Sequence, residues 1–497
     1  MRIGRSLKRS KEKPTTNHIQ VNTLSDEVNE NVVRLMNELG HSSDLSVRMI
    51  ESPHHKSIQA AVIHLDGLAD DNIINENIVD PLIQSFNENN QKLIEERASH
   101  ILTVSQLTIK ESWQEFVSAV LTGDTAVLLN GSTKAFIAST KKQPSRAITE
   151  PTSQTVIRGP KDSFTENLRT NTSLIRTRIQ NPDVRLESLK VGSVTQTDIG
   201  IMYIQGIADE SIVKEVKERV KGIDIDGVLE SNYIEELIRD DGTTIFPLLL
   251  NTERPDAVVG NLLEGRIAII IQGTPFVLIV PAVFSQFFQS PEDYYQNQYI
   301  SSFLRLLRLG AFFLATYASA IYLALITHHQ GLIPTTLIVS LMAQRETVPF
   351  PAIVEILVME MAFEVLREAG VRMPRAIGPA VSIVGALILG QAAVEAGFVG
   401  AAVVIIVAIS AISSFTLPNT SLVNVTRGIR FMLIFISAFI GLYGILLFTL
   451  CIWLHMSSLR SFGVPYFAPF APFRLKEQRD GFFRFPLSSL LKKPSRK

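Results

Sequence analysis

The feature that most constrains this chain is a long apolar stretch in its second half, Gly310 to Met456, dominated by Leu, Ile, Val, Ala, Phe and Gly. A helix needs about 20 apolar residues to cross roughly 30 Å of hydrocarbon. The stretch divides into segments at Leu309 to Thr327, Leu332 to Met342, Ala352 to Leu366, Ile377 to Val394, Phe398 to Leu417 and Phe431 to His455. The second is too short to cross and reads as re-entrant, which requires protein or water to cover its backbone. Residues 291–456 are therefore expected to form an all-α polytopic membrane domain of four to five spans plus that re-entrant segment, followed by a basic cytoplasmic tail at 457–497. Arg367, Arg372 and Arg375 assign one loop to the cytoplasm, and Arg427 and Arg430 another. Five simple crossings would leave the tail outside, so one segment is expected not to span.

Before Glu292 the chain mixes charged and apolar residues as a soluble α/β protein does, and a length of 497 implies at least two domains. A net charge of −1 excludes a globally basic nucleic-acid binder. The single cysteine, Cys451, excludes an internal disulfide. The start, MRIGRSLKRSKEKPTT, is basic without a following apolar core, so no cleavable signal peptide is expected and the soluble half stays cytoplasmic. Residues 1–50 read as a basic, disordered leader whose Arg2, Arg5, Lys8, Arg9, Lys11 and Lys13 are either solvated or touch anionic lipid.

The soluble half carries an internal repeat. IHLDGLADDNII (Ile63 to Ile74) resembles MYIQGIADESIV (Met202 to Val213), with Gly206 lying 139 residues after Gly67. VSAVLTGDTAVLLNGSTKAFI (Val117 to Ile137) resembles VGNLLEGRIAIIIQGTPFVLI (Val259 to Ile279), with Gly273 lying 142 residues after Gly131. Two repeated α/β subdomains, at 51–140 and 197–290, are expected, joined by a helical connector at 141–196. The repeat decides how RIAIIIQGTPFVLIV (Arg266 to Val280) is read. By length and missing charge it could cross a membrane, but its counterpart DTAVLLNGSTKAFIA holds Asp124 and Lys134 around an Asn-Gly turn, so both copies read as hairpins. In the connector, Arg176 and Arg178 form a positive face suited to an acidic neighbouring subunit, to an anionic ligand or to water.

The chemically informative segment is PAIVEILVMEMAFEVLREAG, Pro351 to Gly370. Glu360, Glu364 and Glu368 recur every four residues and share about 80° of helix arc. Charged groups at membrane depth face protein or a watery path. The stripe is therefore read either as lining a cation path, which symmetric subunits would turn into carboxylate rings, or as pairing with Arg305, Arg308, Arg345, Arg367 or Arg375. Gln391 and Glu395, beside Gly and Ala residues, suit packing or gating. In QRETVPFP, Arg345 and Glu346 precede Pro349, a hinge candidate. No phosphate loop, zinc-protease or hydrolase signature is present, and the pairs His54-His55 and His328-His329 lack a third ligand at useful spacing. Neither enzymatic activity nor a cofactor is expected.

NTERPD (Asn251 to Asp256), SPEDYY (Ser290 to Tyr295), HHQGLIPT (His328 to Thr335), VPFP, LREAG, GQAAVEAG (Gly390 to Gly397), SFGVPYFAP (Ser461 to Pro469) and EPTSQTVIRGPKDSF (Glu150 to Phe164) resemble the A subunit of GerA-type spore germinant receptors. The resemblance covers residues 100 to 480 and includes the Glu-bearing helix. It implies a multi-pass protein of the spore inner membrane, partnered by a transporter-like B subunit and a lipoprotein C subunit. It also implies a homo-oligomer, a pentamer, forming a ligand-gated channel for monovalent cations such as K+. An accessory sporulation-membrane channel or scaffold of the same superfamily, and a secondary transporter, are the alternatives.

Overall fold

The computed structural model describes residues 22–52, 59–87, 101–142, 150–151, 153–373, 390–473, 480–481, 483–486 and 488. The first 21 residues of the expected basic leader, most of the apolar segment from Ile377 and much of the tail lie outside them. Strands β1 (Leu45–Glu51), β2 (Gln59–Leu65), β3 (Leu107–Lys110), β4 (Thr125–Leu129) and β5 (Ala135–Ala138) form an antiparallel sheet in the order β1-β2-β4-β5-β3. Strands β6 (Val184–Val191), β7 (Thr197–Ile204), β8 (Leu250–Thr252), β9 (Ile267–Ile271) and β10 (Val277–Val280) form a second, in the order β6-β7-β9-β10-β8. The two sheets share one topology, as a duplication requires. Helices α1 (Val28–Glu38), α2 (Asp71–Ile74), α3 (Asp80–Asn87) and α4 (Trp113–Leu121) accompany the first sheet, and α5 (Leu168–Arg176), α6 (Glu210–Lys221), α7 (Ser231–Ile238) and α8 (Pro255–Leu263) the second.

The repeated residues perform repeated physical tasks. Gly67, Gly123 and Gly131 have φ of 83°, 92° and 82°, and their counterparts Gly206, Gly265 and Gly273 have 77°, 85° and 96°. Only glycine enters that region without a steric penalty on Cβ. Asp70 and Asp209 cap their helices by accepting from Asn72 N–H and Ser211 N–H, each at 3.0 Å. The segment RIAIIIQGTPFVLIV is the β9–β10 hairpin, buried along both strands.

The duplicated unit begins earlier than the sequence patterns suggested. Asn31 on α1 accepts from Ser25 N–H at 3.0 Å and donates to Ser25 O at 2.7 Å, while Asn171 on α5 repeats both bonds with Thr165 at 2.7 and 2.6 Å. The expected disordered leader to residue 50 is therefore too long, since α1 and β1 lie inside it. The expected connector likewise ends too late, because α5 and β6 belong to the second subdomain. Residues 153–164 form a strap on that subdomain: Ser153 N–H, Ser153 O–H and Gln154 N–H all donate to Glu253 Oε1, at 2.6, 2.8 and 3.0 Å.

The second half is helical: α9 (Gln298–Thr327), α10 (Thr335–Arg345), α11 (Ala352–Arg372), α12 (Ala401–Phe415), α13 (Thr420–Ile440) and α14 (Leu442–Ser458). Among the described residues α9 and α13 are long and apolar enough to cross a membrane, with α12 and α14 shorter apolar helices. Helix α9 packs along α12 and α13. The helices leave Phe303, Val365, Phe415, Phe439, Tyr443 and Leu454 more than half exposed, an outward apolar surface unlike that of an ordinary soluble monomer. After α14 the chain returns to the α/β half, where Ser461 O–H donates to Leu248 O at 2.7 Å and Phe284 N–H donates to Tyr466 O at 2.8 Å. The chain thus enters and leaves the helical half at the same end.

Candidate functional site

Helix α11 starts after Pro351 and carries Glu355, Glu360, Glu364 and Glu368. Its four-residue spacing points Glu360 and Glu364 into the bundle, where Glu360 is 0% exposed. Glu360 accepts from Ser319 O–H of α9 at 2.7 Å and lies 3.2 Å from Arg430 Nη2 of α13. Arg430, 2% exposed, also donates to Glu364 Oε1 at 3.1 Å and to Ser410 Oγ of α12 at 2.9 Å. Ser410 O–H in turn donates to Ala315 O at 3.0 Å. Arg427 grips Glu364 with both edges, Nε to Oε1 at 3.1 Å and Nη2 to Oε2, and Arg367 Nη2 adds a contact at 3.3 Å. Forked guanidinium–carboxylate pairs are strong and geometrically specific.

The cluster ties four helices at one point. Removing carboxylates and guanidinium groups from water costs several kcal/mol per ion, roughly, and close pairing must offset it. Two carboxylates, Glu360 and Glu364, face three guanidinium groups, Arg367, Arg427 and Arg430. Glu360 and Glu364 are therefore paired within the chain, but of the expected arginine partners only Arg367 is among theirs; Arg427 and Arg430 take the place of Arg305, Arg308 and Arg345, and Arg375 lies outside the described residues. Glu368 departs from them: it is exposed and bonded to Arg372 of its own helix at 2.6 and 2.8 Å. Arg427 and Arg430, expected in a cytoplasmic loop, lie within α13 instead, because their charges are compensated by α11.

The remaining expected sites are dispersed. Arg345 Nε lies 3.4 Å from the fully buried Glu355, which also accepts from Gly400 N–H at 3.1 Å. Glu346 and Pro349 are exposed in the turn between α10 and α11. Gln391 donates to Glu395 at 2.8 Å, both exposed. Arg176 is no surface group: 1% exposed, it holds Asp44 through Nε at 2.7 Å and Nη2 at 3.0 Å, and Ser42 Oγ through Nη2 at 2.9 Å. Together with Ser43 N–H donating to Leu186 O at 2.8 Å, it fastens the two subdomains to each other. Arg178 donates to Asp162 on the second subdomain's own surface.

Arg305 and Arg308 do not reach α11; they organise the join between the two halves. Arg305, 1% exposed, donates to Asp293 Oδ2 and Asp480 Oδ1, each at 2.9 Å, and Arg308 donates to both oxygens of Asp293 at 2.9 Å. Tyr294 O–H donates to Asp480 at 2.9 Å, and burial, with the Asp480 carboxylate second, holds its phenol well above the ordinary range. The tail is thereby fixed to the start of α9.

With this geometry in view, the similarity to known proteins is extensive. A family model described as Bacillus/Clostridium GerA spore germination protein matches residues 33–496. The chain is 49% identical over 471 residues to spore germination protein KA of Bacillus subtilis (strain 168), covering 95% of this chain and 87% of that one. It is 40% identical over 414 residues to spore germination protein A1 of the same organism, covering 83% and 86%. The crystal structure of the N-terminal domain of the A subunit of the Bacillus megaterium spore germinant receptor GerK3 aligns with 38% identity and a TM-score of 0.42, over 53% of this chain and 97% of that one.

Proposed function

The chain belongs to the GerA spore germination family, and from that premise we propose that it is the A subunit of a nutrient germinant receptor in the spore inner membrane. In this reading the helical half spans the membrane, and copies assemble, as a pentamer, around a path for monovalent cations such as K+. A transporter-like B subunit and a lipoprotein C subunit complete the receptor. Two apolar helices of spanning length and the outward apolar surface support insertion. The return of the chain from α14 to the α/β half supports an even number of crossings, with the tail on the cytoplasmic side beside the N-terminal half.

The observation that carries the mechanism is Glu364 held by three arginines, two of them from α13. A carboxylate so held is a latch: moving α13 against α11 breaks the pairs and frees acidic groups along α11 to face a path, and re-pairing closes it. Such a movement needs a ligand or partner that favours the separated state. The test is complementation of spores lacking the corresponding gene. The wild-type chain should restore germinant-triggered K+ release, and Glu364→Gln should change its rate; failure of the wild-type chain to restore germination sinks the receptor reading. A non-conducting scaffold is the second reading, favoured because Glu360 and Glu364 are already neutralised inside one chain. It predicts that Glu364→Gln leaves the K+ release rate unchanged wherever the variant folds.

A further inference from the structure

Between the second α/β subdomain and the near end of the helical bundle lies a cavity of about 350 Å³. Its volume is within the range of small-ligand pockets, about 300–1,000 Å³. Its walls come from the strap, from β8, from α8, from the segment leading into α9, and from the α12–α13 turn. Six carboxamides line it: Gln154, Asn251, Asn261, Gln286, Gln289 and Asn419. All six already bond within the protein, but each amide nitrogen has spent one of its two donors, so the lining keeps bonding capacity for a polar guest. Both cations in the wall are compensated by protein, whereas Glu292 accepts only from Arg158 N–H at 3.2 Å and Gln296 at 2.6 Å. Arg254 is forked onto Asp256 at 3.0 and 2.7 Å, Arg308 is bonded to Asp293, and Glu264 lies 3.7 Å from Arg266. An anion entering the cavity would meet no unspent cation and would face the Glu292 carboxylate, so the lining favours an uncharged guest over an anionic one.

We propose that this cavity binds a small uncharged solute carrying several hydroxyl or amide groups, and that the bound solute bears on α13. The inference deepens the receptor reading above and rests on it only for this consequence, not for binding itself. Across the cavity the α/β half and α13 are joined by long hydrogen bonds: Asn419 donates to Asn251 at 3.4 Å and Asn251 to Ser421 at 3.3 Å. Bonds of that length are weak, and a solute bonding both sides at ordinary distances replaces them with a firmer bridge. Asn419 is also the N-cap of α13, accepting from Ser421 N–H at 2.9 Å. Arg427 stands eight residues further, about 12 Å along the helix axis at 1.5 Å per residue. A solute that draws Asn419 toward β8 therefore pulls on the element whose arginines hold Glu360 and Glu364.

The experiment uses the full chain in lipid nanodiscs, titrated separately with N-acetylglucosamine, mannitol and uridine by calorimetry, and with citrate as a charged comparison. The variants are Asn251→Ala and Ala257→Phe, the second adding an aromatic ring at the half-buried wall of the cavity. Saturable binding of at least one uncharged solute, weakened at least tenfold in both variants at unchanged melting temperature, supports the proposal, and which solute binds identifies its source. No binding of any uncharged probe up to millimolar concentration, preferential binding of citrate, or binding equally strong in both variants overturns it. That failure leaves the receptor reading standing, because complementation by the wild-type chain is measured independently.

Discussion

At the residue scale, the side chain on which most of the helical half converges is Arg430. It touches Glu360, Glu364 and Ser410, so it joins α13 to α11 and α12 at once. Removing one partner of a buried ion pair leaves an uncompensated charge, which costs roughly 3–5 kcal/mol. Arg430→Gln should therefore lower the stability of the detergent-solubilised chain by about that amount in denaturant unfolding. The double variant Glu360→Gln with Arg430→Gln should recover part of the loss; a single variant as stable as wild type would show that the pairing is unimportant. The acidic half of this cluster was legible, because four-residue spacing in an apolar helix is visible in one sequence. Its basic half was not. Arg430 lies 66 residues after Glu364, and an arginine near the end of an apolar run reads equally well as a loop charge until a partner is seen. Arg176 failed in the same way: helical spacing gave its face but not Asp44, which is 132 residues away.

At the element scale, the duplication was legible through its glycines and its capping aspartates, since each answers a local backbone demand that recurs with the fold. Its beginning was missed. Asn31 and Asn171 perform the same turn-closing task, but the helices they open share little else, Val28–Glu38 being acidic where Leu168–Arg176 is basic. The glycines also rank themselves. A Cβ at Gly265 would lie 2.6 Å from Ile207 O, whereas one at Gly206 would meet nothing within 4 Å. Both have positive φ, so alanine at either carries about 1–2 kcal/mol of backbone penalty. Gly265→Ala adds a clash with backbone that cannot swing aside. It should melt measurably below Gly206→Ala when the two purified variants are compared by scanning calorimetry, and equal melting temperatures would mean that the Ile207 turn yields without cost.

At the scale of the whole molecule, the decisive feature is that the chain enters and leaves its helical half at one end. Arg305 gathers Asp293 before α9 and Asp480 after α14 into one buried cluster, and Ser461 is bonded to Leu248 of the α/β half. Counting apolar runs could not reveal this, because a short run such as Leu332 to Met342 has the same composition whether it crosses or turns back. The contacts supply what composition lacks: two segments packed against each other on one surface are on one side of any membrane. The prediction is sharp once a label is placed well. Thr274 is a poor choice despite being in the β9–β10 turn, since it is 2% exposed and bonded to Glu230 at 2.9 Å. Val194, 77% exposed, and Arg460, exposed just beyond α14, are open. With Cys451 first replaced by serine, because it is itself exposed, Val194→Cys and Arg460→Cys should react with a membrane-impermeant maleimide from the same face of sealed vesicles. Labelling from opposite faces would require an odd number of crossings, and would be incompatible with the bond from Ser461 to Leu248.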